Sequence, residues 1–112
     1  MKYSDPLFGT AQEYTKAYTA KYGEGLAYQG AAGTQGALLL QLAIEKAGSL
    51  ETDKVRAALQ AYDGTTFWGP TKWDATGQNM AGGAVTFQIQ KGEIKTVWPL
   101  GAASAKVVYP KP

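Results

Sequence analysis

The sequence predicts an α/β chain: three helices followed by a C-terminal β-hairpin, lacking most of the parallel sheet such helices would cover. Three observations carry this. Apolar residues recur at helical spacing in the first half, strict alternation appears only near the end, and the middle helix is apolar over more than half its circumference. A complete doubly wound domain would alternate several strands with these helices, and the 112 residues do not contain them.

The first helix is expected from Asp5-Pro6, an acidic cap with proline in the first turn. Phe8, Ala11, Tyr14, Ala17, Tyr18 and Tyr22 then form one aromatic face, while Gln12, Glu13, Lys16 and Lys21 turn to water and Gly23 stops the helix. Helical spacing explains this stripe as core packing. "EGLAYQGAAGTQG" follows, rich in glycine but without GxxxxGK[ST] or GxGxxG, so it makes no phosphate cradle. It reads as a crossing segment where backbone approaches something closely.

The second helix is expected from about Ala31 to Ala47 and, with Leu38, Leu39, Leu42, Ala43 and Ile44, should be sandwiched; Lys46 and Gly48 suit its C-terminus. Thr52 caps a short third helix to about Ala61 with Val55, Ala58 and Leu59 inward, and Asp63-Gly64 ends it. "TFWGPTKWDATGQ" then reads as two extended pieces broken by Gly69-Pro70, with an aspartate turn at Asp74. Its aromatics, Phe67, Trp68 and Trp73, are expected to plug a core. "AVTFQIQ" and "EIKTVW" alternate across Lys91-Gly92 and predict a hairpin with one covered face bearing Val85, Phe87 and Ile89. Lys106 to Tyr109 could add a marginal strand.

Composition removes several functions. There is no cysteine and no histidine, which excludes thiolate nucleophiles, Ser-His-Asp triads and the usual zinc ligands. A net charge of +2 with scattered lysines offers no basic stripe for nucleic acid. No apolar run is long enough to span a membrane, and Met1 to Pro6 shows no signal-peptide core. Nothing in the spacing of the nine carboxylates sets a catalytic pair, so no enzyme, cofactor or metal is expected.

"YQGAAGTQGALLLQLAIEKAGSLETDKVRAALQ" resembles the C-terminal region of type I periplasmic solute-binding proteins of the branched-chain amino-acid ABC transporter group. The order continues with "TFWGPTKWDATGQN", the hairpin "VTFQIQKGEIKTVWP" and the tail "AKVVYPKP", so the likeness runs from about Phe8 to Pro112. It implies a partial type I periplasmic-binding-protein fold: residues 1–27 and 84–112 resemble second-lobe segments and 31–77 a first-lobe segment. It also implies ligand contacts at Tyr28, Gln29, Gly30 and Ala31, where the chain would cross between lobes beside the cleft. Thr34 departs from the tyrosine many relatives carry at the start of the helix.

What the resemblance implies in function is a C-terminal fragment of a periplasmic binding protein for amino acids or aromatic or aliphatic carboxylates, with an ABC permease as the full-length partner. Alone, such a fragment should bind ligand no tighter than about millimolar and form homo-oligomers through its uncovered apolar surface. The alternative is a small scaffold or protein-interaction domain with an exposed apolar face.

Overall fold

The computed structural model describes residues 3–110. Met1 and Lys2, at the start of the stretch read for a leader, and Lys111 and Pro112, at the end of the tail, lie outside them. The described residues form two units, 3–82 and 83–110.

In the first unit, β1 (Ser4–Asp5) pairs antiparallel with β2 (Gly9–Thr10), and three helices follow: α1 (Ala11–Tyr22), α2 (Tyr28–Ala47) and α3 (Thr52–Gln60). Asp5 does not begin a helix. It is buried, Oδ1 accepts the amides of Leu7 and Phe8 (2.9 and 2.7 Å), and Oδ2 accepts the amide of Phe67 (2.8 Å). With both oxygens engaged in closing a tight loop and tying it to a distant segment, the cap passes to Thr10. There Thr10 Oγ1 accepts the Glu13 amide and Glu13 Oε2 accepts the Thr10 amide, a capping box formed by a glutamate expected only to face water. Gly23 closes α1 at φ 75°, as expected.

The aromatic face of α1 is narrower than its spacing predicts. Tyr14 is buried, Tyr18 is half-buried and Tyr22 is exposed. Tyr14 stacks on Phe67 with ring centroids 4.4 Å apart, and Phe8, outside the helix, meets both rings edge-on. Tyr14, Ala31, Leu38 and Phe67 make the core, with Tyr18, Leu26 and Leu42 packed against it.

α2 starts three residues before the expected Ala31, so the supposed crossing stretch Tyr28-Gln29-Gly30 is its first turn. Its burial is one-sided: Ala31, Gln35, Leu38, Leu39 and Ala43 are buried while Leu40 is exposed, in place of the sandwich expected from its apolar circumference. α3 packs on α2 with Val55, Ala58 and Leu59 half-buried. Its N-cap is Glu51, with Thr52 already helical.

β3 (Asp63–Thr66) and β4 (Gly69–Lys72) form a hairpin in the register Asp63↔Lys72 to Thr66↔Gly69. Asp63-Gly64 and Gly69-Pro70, expected as breaks, therefore lie inside strands, and the turn falls at Phe67-Trp68. Pro70 is tolerated because each strand of a two-stranded sheet has a free edge. Between hairpin and α2, Thr66 Oγ1 donates to Gln35 Oε1 (2.7 Å) and Gln35 Nε2 reaches Thr71 Oγ1 (3.5 Å), all three residues being buried. Asp74 makes the expected turn, Oδ1 accepting the amides of Thr76 and Gln78 at 2.8 and 3.0 Å.

In the second unit, β5 (Thr86–Gln90) and β6 (Glu93–Trp98) pair through Lys91-Gly92, at φ 55° and 81°. Both residues are left-handed, as a two-residue turn matched to strand twist requires. The covered face is the reverse of the expected one. Phe87, Ile89 and Ile94 share one face and are exposed by 60%, 63% and 72%; Val85 is exposed as well. The opposite face carries Gln88, Gln90, Lys95 and Val97, and Val97 is buried. The chain beyond it, after a 3-10 turn at Leu100–Ala102, folds back: Ser104 and Ala105 donate to the Thr96 backbone carbonyl of β6, and the Gln88 and Gln90 side chains of that face bond the Val108 and Lys106 backbone. Lys106 to Tyr109 add no strand.

Candidate functional site

Tyr28, Gln29, Gly30 and Ala31 all fall in the first turn of α2. Two of them, Tyr28 and Ala31, line a groove of about 380 Å³ whose other walls are Ala11, Tyr14, Thr15, Leu26, Phe67 and Trp68. Gln29 is exposed and does not line it, and Gly30 faces the Leu26 and Tyr18 side chains.

The groove is built by three local decisions. The capping box of α1 sets Ala11, Tyr14 and Thr15 on one side. The start of α2 places Tyr28 at the rim, 73% exposed, and Ala31 in the floor. The β3–β4 turn points Phe67 into the core and Trp68 outward. Trp68, expected as a core plug, is 49% exposed and forms a wall. Phe67 and Trp68 are the two turn residues between β3 and β4, and the turn sends one ring into the core and the other to the surface. Trp73 is half-buried, and its buried indole N–H has no partner among the described residues.

Among the described residues, no charged side chain lines the groove. Its hydroxyls are largely engaged internally: Tyr14 with Thr34 Oγ1 at 2.7 Å, and Thr15 Oγ1 with the Ala11 carbonyl at 2.8 Å. The polar character left at the rim is the beginning of α2. Its N-cap, Ala27, makes no side-chain cap; its carbonyl takes the amides of Gly30 and Ala31 (3.1 and 3.3 Å), which leaves the Tyr28 and Gln29 amides open to an acceptor. Aromatic walls beside open amides suit a small molecule with a flat or branched apolar part and a carboxylate.

The carboxylates with displaced pKa values are held by structural bonds. Glu13 is lowered by the backbone and then the side-chain hydrogen bonds of Thr10, and Asp74 chiefly by the Thr76 hydroxyl and the Gln78 amide. Tyr62 is raised, first by burial and then by the negative charge of Asp5. Neither carboxylate lines the groove. A second cavity of about 270 Å³, beside Arg56, Leu59, Trp73 and Thr76, is open and mostly apolar. Among the described residues, no group of three or more acidic, histidine or cysteine side chains could hold a metal ion, and no helix is long and apolar enough to cross a membrane.

Three helices joined to small antiparallel strand pairs make this an α/β fold of the kind a part of a two-lobed binding protein would show. The model of the family described as periplasmic binding protein matches residues 3–93, and the chain belongs to that family. The group within it is the type I, branched-chain amino-acid one. The matched region takes in every residue of the groove.

Proposed function

We propose that this chain is the C-terminal portion of an ABC-transporter solute-binding protein for amino acids or related small carboxylates, and that the Tyr28–Trp68 groove is one wall of its ligand site. One observation carries this reading. Within the 3–82 unit, the groove brings together Tyr28 and Ala31 from the start of α2, Ala11, Tyr14 and Thr15 from α1, and Phe67 and Trp68 from the β3–β4 turn. Aromatic walls beside a helix start suit an apolar small molecule that carries a carboxylate. Membership of the family supports solute binding, a transporter permease as partner and a periplasmic location, and its members are in general not enzymes.

In this reading the opening amides of α2 receive the ligand carboxylate, and Tyr28 and Trp68 contact its side chain. A single wall binds weakly, with a dissociation constant on the order of millimolar. The test is a titration of the isotope-labelled chain with leucine, phenylalanine and benzoate followed by NMR. Amide shifts should concentrate at residues 28–31 and 67–68 and disappear in Trp68→Ala. Shifts confined to other residues, or micromolar affinity that survives Trp68→Ala, would refute the assignment.

A second reading, a protein-interaction domain, is favoured by the bare Phe87, Ile89 and Ile94 face of the hairpin. Association between copies through exposed apolar residues belongs to this reading.

A further inference from the structure

The tail of the 83–110 unit is held by side chains acting as a strand would. Val108 donates its amide to Gln88 Oε1 at 3.0 Å, and its carbonyl accepts from Gln88 Nε2 at 2.9 Å. One carboxamide thus satisfies both backbone groups of one residue. Two residues earlier, the Lys106 carbonyl accepts from Gln90 Nε2 at 2.8 Å, and the same nitrogen donates to Gln88 Oε1 at 2.7 Å. A carboxamide carries the donor and acceptor of a peptide group, and positions 88 and 90 on one strand face match 106 and 108 on the tail with the period of two that extended chains share. The tail's side chains take little part: Val107 and Tyr109 are 64% and 92% exposed.

We propose that Gln88 and Gln90 form a backbone clamp that holds residues 106–108 as a releasable strap, and that the closed strap shields the Lys106–Val107 peptide bond from proteolysis. A protease binds its substrate as an extended strand, taking the backbone donors and acceptors on either side of the bond it cuts. Here the Lys106 carbonyl and both backbone groups of Val108 are already engaged. The clamp bonds are solvent-exposed, and such bonds are individually weak, so the strap opens without the hairpin unfolding. Release is confined to the end of the tail because Ser104 remains anchored, its amide on the Thr96 carbonyl at 2.8 Å and its Oγ accepting the Thr96 amide at 3.1 Å.

Limited trypsin digestion of the whole chain, read by mass spectrometry, tests this. In Gln88→Leu/Gln90→Leu, cleavage after Lys106 should accelerate about tenfold, because cleavage follows the population of the open form. Cleavage after Lys95, inside β6, should keep its rate. Gln88→Glu retains an acceptor for the Val108 amide but loses the donor to its carbonyl, so amide exchange at Val108 should fall between the native chain and Gln88→Leu. An unchanged rate at Lys106 overturns the proposal. So does a rate at Lys95 that rises in step with it, since the glutamines would then be holding the hairpin itself.

Discussion

Phe67 and Trp68 are neighbours with opposite roles. Phe67, 3% exposed, stacks on Tyr14 and closes the core of the first unit, whereas Trp68 stands in the groove wall. Phe67→Ala should lower stability by about 3–5 kcal/mol, the cost of emptying a buried aromatic site. Trp73→Ala should cost less, about 2 kcal/mol, because the ring is only half-buried and its buried N–H has no bond to lose. Urea denaturation of both variants checks the order; a larger loss at Trp73 would show that the segment just after β4, and not the hairpin tip, seals the core. Aromatic content was plain in the sequence. Which ring faces inward was set by the turn, whose position at Phe67-Trp68 was hidden by the Gly69-Pro70 pair just after it.

At the scale of elements, the helix stops were legible and the starts were less so. Gly23 and Gly48 end α1 and α2 in the left-handed conformation that glycine takes without a steric penalty. The starts went elsewhere because competing caps were decided by distant partners: Asp5 is drawn off by the Phe67 amide, leaving Thr10 and Glu13 to begin α1. The capping box makes the start of α1 pH-dependent. Because the folded pKa of Glu13 is depressed, its contribution is complete above the unfolded glutamate pKa of about 4.3 and is lost as pH falls through the lower folded value. Amide protection in the first turn of α1, taken relative to the intrinsic exchange rate at each pH, should therefore fall on acidification below about pH 4. Thr10→Ala should return the Glu13 pKa toward its ordinary value and flatten that dependence. A first turn whose protection ignores pH in the native chain would remove the capping box as its stabiliser.

For the whole molecule, the apolar surface is larger than the described residues cover. Leu40, Leu50, Phe87, Ile89, Ile94 and Trp98 are all exposed large hydrophobic side chains. Light scattering at about micromolar concentration should find species heavier than the monomer, as unpartnered apolar surface seeks cover. A clean monomer would leave that surface without the associative role proposed for it.

Period and composition by themselves determined the class: three helices, then a hairpin turning at Lys91-Gly92, in a chain without histidine or cysteine chemistry. The ordered motifs pointed to the periplasmic binding protein family, which residues 3–93 match. Faces and partners needed the tertiary structure. Alternation says that two sides of a strand differ, but which side is covered depends on what arrives there. On the hairpin it is the chain's own tail, bonded by Gln88 and Gln90, that takes the side bearing Val97, and the more apolar side stays bare. The groove is a tertiary product too, because Tyr14, Tyr28 and Trp68 lie in separate elements that only packing brings together.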